Sequence, residues 1–274
     1  MLIAQLTDLH IKKNGKIAYQ KVDTLQCLRN AVSHINRLLP QPDWVVVTGD
    51  LGDFGTPEEY AVLVPELKKL KAPVKVIPGN HDHRDHLRAA FDGFASFDHC
   101  EYCHFSQMLD GYHLIGLDSS VLGKPYGRLM PESLAWLNVT LGEQSTVPTL
   151  IFLHHPPMKV GIDHMDVQKL LNDDELWQVL QHHGQVKGLV SGHLHRAIYA
   201  TWNGLPVWVG PSHSHAVTLD LNPNAPSRFS LEPPAIQLFK LEPDSVVSHI
   251  SYIESEEKSA GPFPFFDENN KLID

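Results

Sequence analysis

The chain has 274 residues, which corresponds to one or two domains at roughly 150 residues per domain and is long enough to bury a hydrophobic core. Hydrophobic residues make up 42% of the sequence and charged residues 20%, a composition that excludes an intrinsically disordered chain. The formal net charge of −10 disfavours broad electrostatic binding to nucleic-acid polymers or anionic membranes.

The cysteine content and the first residues of the chain indicate the cellular compartment. Three cysteines cannot form a fully paired disulfide framework. The opening segment MLIAQLTDLH lacks a basic region, and no apolar run reaches the ~18 residues that a membrane-spanning helix needs. We therefore expect a cytoplasmic protein without a membrane partner.

Short apolar runs predict buried strands at 2–7, 44–48, 74–78, 114–117 and 150–153. Helical patterns lie between and after them, at 22–39, 57–70, 131–142 and 172–183. The second helix has a start signal in Thr56, Pro57 and Glu59. Because strands alternate with helices, this part of the chain predicts a layered α/β fold.

The pattern changes after about Val186, where short strands follow one another without long helices. They are predicted at 187–191, 197–201, 206–209, 235–241 and 246–252. We expect antiparallel strands to complete the sheet here and the Pro-rich segment 222–234 to be a loop.

Polar clusters rich in histidine and aspartate follow five of the predicted strands. They are Asp8-Leu9-His10, Gly49-Asp50, Gly79-Asn80-His81-Asp82, His154-His155 and Gly192-His193-Leu194-His195. Ligand sites of open α/β sheets form at the carboxyl ends of strands. The five clusters are therefore expected to converge on one crevice.

The side chains in these clusters are of the types that bind metals. Carboxylate, imidazole and amide oxygen suit Zn, Mn or Fe(II), and the lack of thiolate argues against a purely structural zinc site. Asp-x-His and His-x-His place both side chains on one face of an extended segment, so both can reach one centre. Seven candidate ligands exceed the four of one tetrahedral ion, whereas two ions that share a bridging carboxylate would use them all.

The blocks D-x-H, GD, GNHD, H-H-P-P and G-H-x-H, in this order between residues 8 and 195, resemble the signature of the calcineurin-like metallophosphoesterases. The segments GTPEEY at 55–60 and AGPFPFFDEN at 260–269 are similar to the bacterial binuclear glycerophosphodiesterases, relatives of the class III cyclic-nucleotide phosphodiesterases. The resemblance implies a four-layer α/β/β/α sandwich of two mixed sheets. Residues 1–221 would form the catalytic core, and residues 222–274 would complete the same domain.

The family's metal ligands match seven residues of this sequence. One metal would be held by Asp8, His10, Asp50 and His195, and the other by Asp50, Asn80, His154 and His193, with Asp50 bridging. His154 is preferred to its neighbour His155 because related enzymes have a single histidine at the first of these positions. Fe, Mn, Zn and Co remain open as the two divalent ions.

Three further residues match positions near the substrate in that family. His81 would sit beside the substrate rather than on a metal, His215 matches a late active-site histidine, and Tyr19 matches a tyrosine that reaches the metal-bound solvent. His213 and His215 share one face of an extended segment, and we expect one of them to be a surface residue.

The resemblance implies hydrolysis of small phosphodiesters, glycerophosphodiesters or 3′,5′-cyclic nucleotides, by attack of a hydroxide held between the metals. A nuclease and a phosphomonoesterase on the same metal core are the alternatives, along with a scaffold that has lost its ligands. The net charge speaks against a nucleic-acid polymer. The cations nearest the blocks, none of which lies inside one, are Lys159, Arg196, Arg84 and Arg88. Their placement favours singly charged diesters over monoesters.

Two features remain outside this site. Cys100 and Cys103, flanked by His99 and His104, have the spacing of a second zinc site or a redox pair, but ordinary thiols in a loop are the preferred interpretation. The tail contains Phe263, Phe265 and Phe266 among prolines, which predicts an interface and a homo-oligomer, either a dimer or a dimer of dimers.

Overall fold

The computed structural model describes residues 1–99 and 101–253. The strands within these ranges are β1 (Leu2–Leu6), β2 (Trp44–Thr48), β3 (Val74–Ile77), β4 (Phe105–Leu109), β5 (Tyr112–Leu117), β6 (Thr149–Leu153), β7 (Val186–Ser191), β8 (Ile198–Trp202), β9 (Leu205–Val209), β10 (Ala216–Val217), β11 (Phe229–Ser230), β12 (Ala235–Glu242) and β13 (Ser245–Tyr252). The helices are α1 (Thr24–Arg37), α2 (Pro57–Leu67), α3 (Arg84–Phe91), α4 (Pro131–Glu143), α5 (Asp163–Asp166) and α6 (Asp173–Leu180).

Two mixed sheets form the centre of the molecule. The first has the strand order β13-β12-β1-β2-β3, and the second has the order β4-β5-β6-β7-β9-β8. In the first sheet, β1, β2 and β3 are parallel, and the antiparallel strands β12 and β13 complete one edge. In the second sheet, β5, β6, β7 and β9 are parallel, and the antiparallel strands β4 and β8 form the two edges. The expectation that antiparallel strands complete the sheet is confirmed for β8, β12 and β13, whereas β7 and β9 pair in parallel.

Three apolar clusters hold the layers together. Between the sheets, Ile3 and Val46 of the first sheet pack with Phe152 of the second. Residues on the opposite faces of the strands contact helices: the first sheet packs against α1, α2 and α3, and the second against α4 and α6. Because successive strand residues point to opposite faces, Ile3 lies between the sheets while Ala4 faces the helices. The layer order is therefore α/β/β/α, as the sequence resemblance implied.

The helix starts follow local chemistry. Asp23 accepts a hydrogen bond from the Gln26 amide at 2.9 Å and caps α1. At α2, the Glu59 carboxylate accepts from the amides of Phe54 and Thr56 at 2.9 and 3.1 Å, which fits the start signal in the sequence. All predicted strands and helices are present, with ends shifted by at most three residues.

Five elements were not predicted: α3, α5, β4, β10 and β11. The strand β4 is paired with β5 through the tight Asp110-Gly111 turn, a hairpin signal that the sequence analysis overlooked. The helix α3 is short and polar, and it is stabilised by burial of Leu87 and Phe91. The segment 222–234 is not entirely a loop, because β11 lies within it and pairs with β10.

None of the helices in the described ranges combines the length and the apolar character needed to cross a bilayer.

Candidate metal centre

The seven predicted ligands lie together at the carboxyl ends of five strands. Asp8 and His10 follow β1, Asp50 follows β2, Asn80 follows β3, His154 follows β6, and His193 and His195 follow β7. Both sheets thus contribute side chains to one crevice. All but Asn80 are buried, so the groups face one another rather than solvent.

The first cluster consists of Asp8, His10, Asp50 and His195, whose donor atoms lie within 4.8 Å of one another. The Nε2 atoms of His10 and His195 are 3.1 Å apart. His195 Nε2 lies 3.5 Å from Asp8 Oδ1, and His10 Nε2 lies 3.6 Å from Asp50 Oδ2. Four donors therefore point at one small volume.

The second cluster adjoins the first through Asp50. His154 Nε2 lies 3.4 Å from Asp50 Oδ2 and 3.2 Å from Asn80 Oδ1. The ring of His193 packs against that of His154, with centroids 5.1 Å apart. Asp50 is thus the one carboxylate that both clusters share.

These residues fit a pair of divalent cations. Two ligands at ~2.1 Å from a tetrahedral ion are about 3.4 Å apart, which is close to the separations in both clusters. Two buried atoms at the site, Asp8 Oδ2 and His193 Nε2, have no hydrogen-bond partner within the part of the chain that the structure describes. Unpaired buried polar atoms are costly, and a cation would satisfy both.

Hydrogen bonds orient two of the histidine rings. His10 Nδ1 donates to Asp53 Oδ1 at 3.2 Å, and His154 Nδ1 donates to the Thr48 carbonyl at 2.8 Å. When such a ring is neutral, with its proton held on Nδ1, it directs the Nε2 lone pair into its cluster. Metal-binding histidines in proteins are commonly fixed in this way.

Burial and charge shift the pKa values at the site in opposite directions. Burial alone would raise the pKa of Asp50, but the neighbouring histidines, with His154 the strongest, together outweigh it and hold that pKa well below its usual range. Burial would lower the pKa of His154, yet Asp50 raises it to about 9. Burial lowers the pKa of His193 to about 3, so His193 is neutral at physiological pH. Metal ligands are neutral imidazoles and ionised carboxylates, so a cation bound here would displace the proton that the raised pKa leaves on His154.

Five of the seven residues have left-handed backbone conformations, with φ values between 45° and 73°. They are Asp8, His10, Asp50, His193 and His195. Left-handed conformations cost free energy for residues other than glycine, and they concentrate where the surrounding structure forces a side chain into a functional position.

Two glycines let the loops approach the site. A Cβ on Gly49, where φ is +96°, would lie 2.3 Å from His154 Nδ1. A Cβ on Gly79 would lie 2.2 Å from Asp50 Oδ1. Any larger residue at either position would displace a predicted ligand.

A cleft of ≈ 270 Å³ opens over the clusters. His81 lines it, with its amide donating to Asp50 Oδ1 at 2.9 Å and Nδ1 donating to the Asp53 carbonyl at 2.8 Å. His215 lines it as well, and its ring centroid is 4.6 Å from that of His195. Tyr19 is 45% exposed and packs edge-on against His215, with centroids 5.3 Å apart. All three residues predicted to lie near the substrate therefore border the cleft.

Two further histidines, His213 and His155, lie close to predicted site residues in the sequence. His213 and His215 are both buried, so the expectation that one of them is a surface residue is wrong. The ring of His213 bonds to the Thr24 carbonyl at 3.3 Å, which places it behind the site. The donor atoms of His155, His154 and His193 lie within 4.8 Å of one another; His155 Nδ1 bonds to Ser119 Oγ at 2.9 Å, and its buried Nε2 has no hydrogen-bond partner among the described residues.

Sequence reasoning missed two carboxylates that hold the site. Asp53 bonds to His10 and Lys12, and these partners outweigh burial and lower its pKa to about 2. Asp82 accepts hydrogen bonds from the amides of Leu51 and Gly79 and thereby ties two ligand loops together. Both residues stand within the motif blocks, in GDLGD and GNHD, and that proximity was the available signal.

The cysteine pair cannot be evaluated as a site, because Cys100 lies outside the described residues. Cys103 is buried and free, and burial raises the pKa of its thiol. His99 and His104 accept hydrogen bonds from the backbone amides of Glu101 and Asp118.

Comparison with known proteins gives matches along the whole chain. The sequence profile of the calcineurin-like phosphoesterases matches residues 1–197. A protein of Arcobacter nitrofigilis, named a probable glycerophosphodiester phosphodiesterase, is 43% identical over 100% of both chains. A 3′,5′-cyclic-nucleotide phosphodiesterase of Nostoc is 34% identical over 71% of each chain.

The fold has counterparts among solved structures. A dimetal phosphatase from Danio rerio superposes with a TM-score of 0.64 at 15% identity, over 87% of this chain and 94% of that one.

Proposed function

Because this chain belongs to the calcineurin-like phosphoesterase family, we propose that it hydrolyses small phosphodiesters with two divalent metal ions. The names of its relatives support glycerophosphodiesters and 3′,5′-cyclic nucleotides as the substrate classes. The observation on which the proposal rests is the pair of donor clusters that share Asp50 beneath an open cleft.

The assignment of ligands follows the two clusters. Asp8, His10, Asp50 and His195 would hold one ion, and Asp50, Asn80, His154 and His193 would hold the other. Two such ions, when bound, supply Lewis acidity to the phosphoryl oxygens and lower the pKa of water. Ligands of nitrogen and oxygen suit Fe, Mn, Zn and Co alike, and these are the metals we propose.

The residues of the chain that border the cleft position the substrate and move a proton. The Nδ1 proton of His81 is engaged by the Asp53 carbonyl, so Nε2 is the atom that exchanges a proton with the departing alkoxide. His215 and Tyr19 form the adjoining wall and limit how the ester substituents lie.

The cations around the site favour diesters over monoesters. Arg84 is paired with Asp118, Arg196 donates to Glu232 at 2.7 Å, and Arg88 donates to backbone carbonyls. These three side chains are thus engaged with other groups, and none of them is free to compensate a second phosphate charge. A singly charged diester matches this environment better.

Hydrolysis of chromogenic esters tests the proposal. Metal-loaded protein should cleave bis-p-nitrophenyl phosphate with a higher kcat/KM than p-nitrophenyl phosphate, and chelation should abolish both activities. Activity that survives chelation, or no activity with Mn or Zn, would refute the metal-dependent function. A tenfold preference for the monoester would place the protein among the phosphatases.

We also propose that the protein works in the cytoplasm as a homo-oligomer and does not act on nucleic-acid polymers. The free thiols of Cys27 and Cys103 are consistent with a reducing compartment. The net charge of −10 disfavours polyanionic substrates. The oligomer is inferred from the aromatic tail, which lies outside the described residues.

A further inference from the structure

The wall of the cleft that faces the donor clusters is built by residues absent from the motif blocks. Met165 and Gln168 reach it from the α5 region, and Ser227, Arg228 and Phe229 reach it from the segment that leads into β11. The donor clusters form the other side of the same cleft. A phosphate bound at the clusters would therefore extend its ester substituents toward this second wall.

Arg228 is the one formally cationic residue among the described residues that line the cleft. Its backbone is fixed, because its carbonyl accepts from the Thr218 amide at 2.9 Å beside the β10–β11 pair. Its side chain is exposed, and within residues 1–99 and 101–253 no ion pair or hydrogen bond engages its guanidinium. Hydrogen bonds lower the pKa of the exposed Asp220 carboxylate and the Arg228 charge contributes to this shift, but no direct contact fixes the guanidinium to that carboxylate. A positive charge thus stands at the substrate cleft without a hydrogen bond or ion pair from the described residues to hold it.

Arg196, which also lies beside the β10–β11 pair, differs from Arg228 in having fixed side-chain partners. Its guanidinium donates to the Val217 carbonyl and to the Glu232 carboxylate, so Arg196 braces β10 and the segment after β11. Arg228 has no such contacts, and truncating it should leave the strand pair in place.

We propose that Arg228 determines which diesters the enzyme prefers, by the charge of the alcohol substituent. An alcohol that bears a carboxylate or another anionic group is favoured, and one that bears a quaternary ammonium is disfavoured. This inference rests on the proposed phosphodiesterase function and names the substrate class within it. The effect is electrostatic at a partly solvated position, so it weakens as salt is added.

Three p-nitrophenyl phosphodiesters that share one leaving group test the proposal on the metal-loaded enzyme. Their second alcohols are glycolic acid, ethanol and choline, which are anionic, neutral and cationic at the far end. An exposed charge pair contributes up to about 1 kcal/mol, or roughly fivefold. At low salt, wild-type kcat/KM should fall in the order glycolate, ethyl, choline, with about three- to fivefold at each step.

Substitution at Arg228 should change these ratios without changing the ligand clusters. Arg228→Gln should bring the three values together, Arg228→Glu should reverse their order, and Arg228→Lys should keep it. Arg128→Gln is the matched control, since it removes an exposed arginine that pairs with Glu175 away from the cleft. Each ratio is taken within one variant, so a misfolded fraction cancels.

The outcomes separate this inference from the proposed function. Hydrolysis of all three esters with ratios that do not depend on Arg228 or on salt would overturn the inference alone. An equal loss on all three esters in Arg228→Gln would assign Arg228 to the phosphate itself and would also overturn it. A wild-type enzyme that cleaves none of the esters with Mn or Zn would refute both.

Discussion

Replacement of Asp53 should weaken metal binding at the first cluster although Asp53 is not among the proposed ligands. Its Oδ1 accepts the Nδ1 proton of His10 at 3.2 Å, and its low pKa of about 2 keeps it charged at neutral pH. A hydrogen bond to a charged group contributes ~1.5–3 kcal/mol, which corresponds to roughly 10- to 150-fold in affinity. Supporting residues of metal sites typically have effects of about 10–100-fold.

Two substitutions of Asp53 should give metal affinities near the two ends of this range. Asp53→Asn keeps an acceptor oxygen but loses the charge, and we expect affinity to fall about tenfold. Asp53→Ala loses both, and we expect about a hundredfold. The Asp53 carbonyl that receives the His81 proton is retained in both variants. Calorimetric titration of metal-free protein with Mn²⁺ or Zn²⁺ measures the effect without reference to turnover.

Lys12→Met provides the matched control. It removes the other partner of Asp53 while leaving the contact with His10 intact, so metal affinity should stay within about threefold of wild type. Wild-type affinity in Asp53→Ala would refute the orienting role. A loss in Lys12→Met as large as that in Asp53→Ala would show that the local charge, rather than the orientation of His10, is responsible.

Three further predictions concern the shared ligand, the proton donor and the tail. Asp50→Ala should lose both metals and nearly all turnover because it removes the carboxylate common to the clusters; two tightly bound ions by elemental analysis would contradict the bridging assignment. His81→Ala should keep its metals and lose roughly 10²–10⁴-fold in kcat; equal loss of metal and rate would make His81 a ligand or a structural residue. Truncation after Ser259 should give a smaller species in size-exclusion chromatography, whereas an unchanged, fully active species would show that the tail is dispensable.

The sequence was informative where the site residues come directly after a buried strand in the chain. The apolar runs before Asp8, Asp50 and His154 are short and continuous, and the rule that sites form at strand ends brings the polar residues after them together. The side chains of these residues reach the crevice from the first or second position beyond a strand. Such local placement requires no knowledge of the loops.

The second wall of the cleft was not predictable in the same way. Gln168 and Arg228 are separated by sixty residues, and no apolar periodicity links the segments that bring them to one cleft. The strand β11 is only two residues long and forms by pairing with β10, so its existence depends on tertiary structure. For the same reason, Arg228 was absent from the cations that the sequence placed near the site.

The sharing of ligands between the two sheets couples metal supply to the lifetime of the protein. Each proposed ion has ligands from both sheets, so bound metal would link β1 and β2 of the first sheet to β6 and β7 of the second. Ligands that bind only the folded state add RT ln(1 + [M]/Kd) to the free energy of unfolding, ~4.1 kcal/mol at a thousandfold excess over Kd. In a cell short of metal, the enzyme would lose its resistance to unfolding and proteolysis along with its activity. The pool of enzyme would then track the supply of the ion it uses.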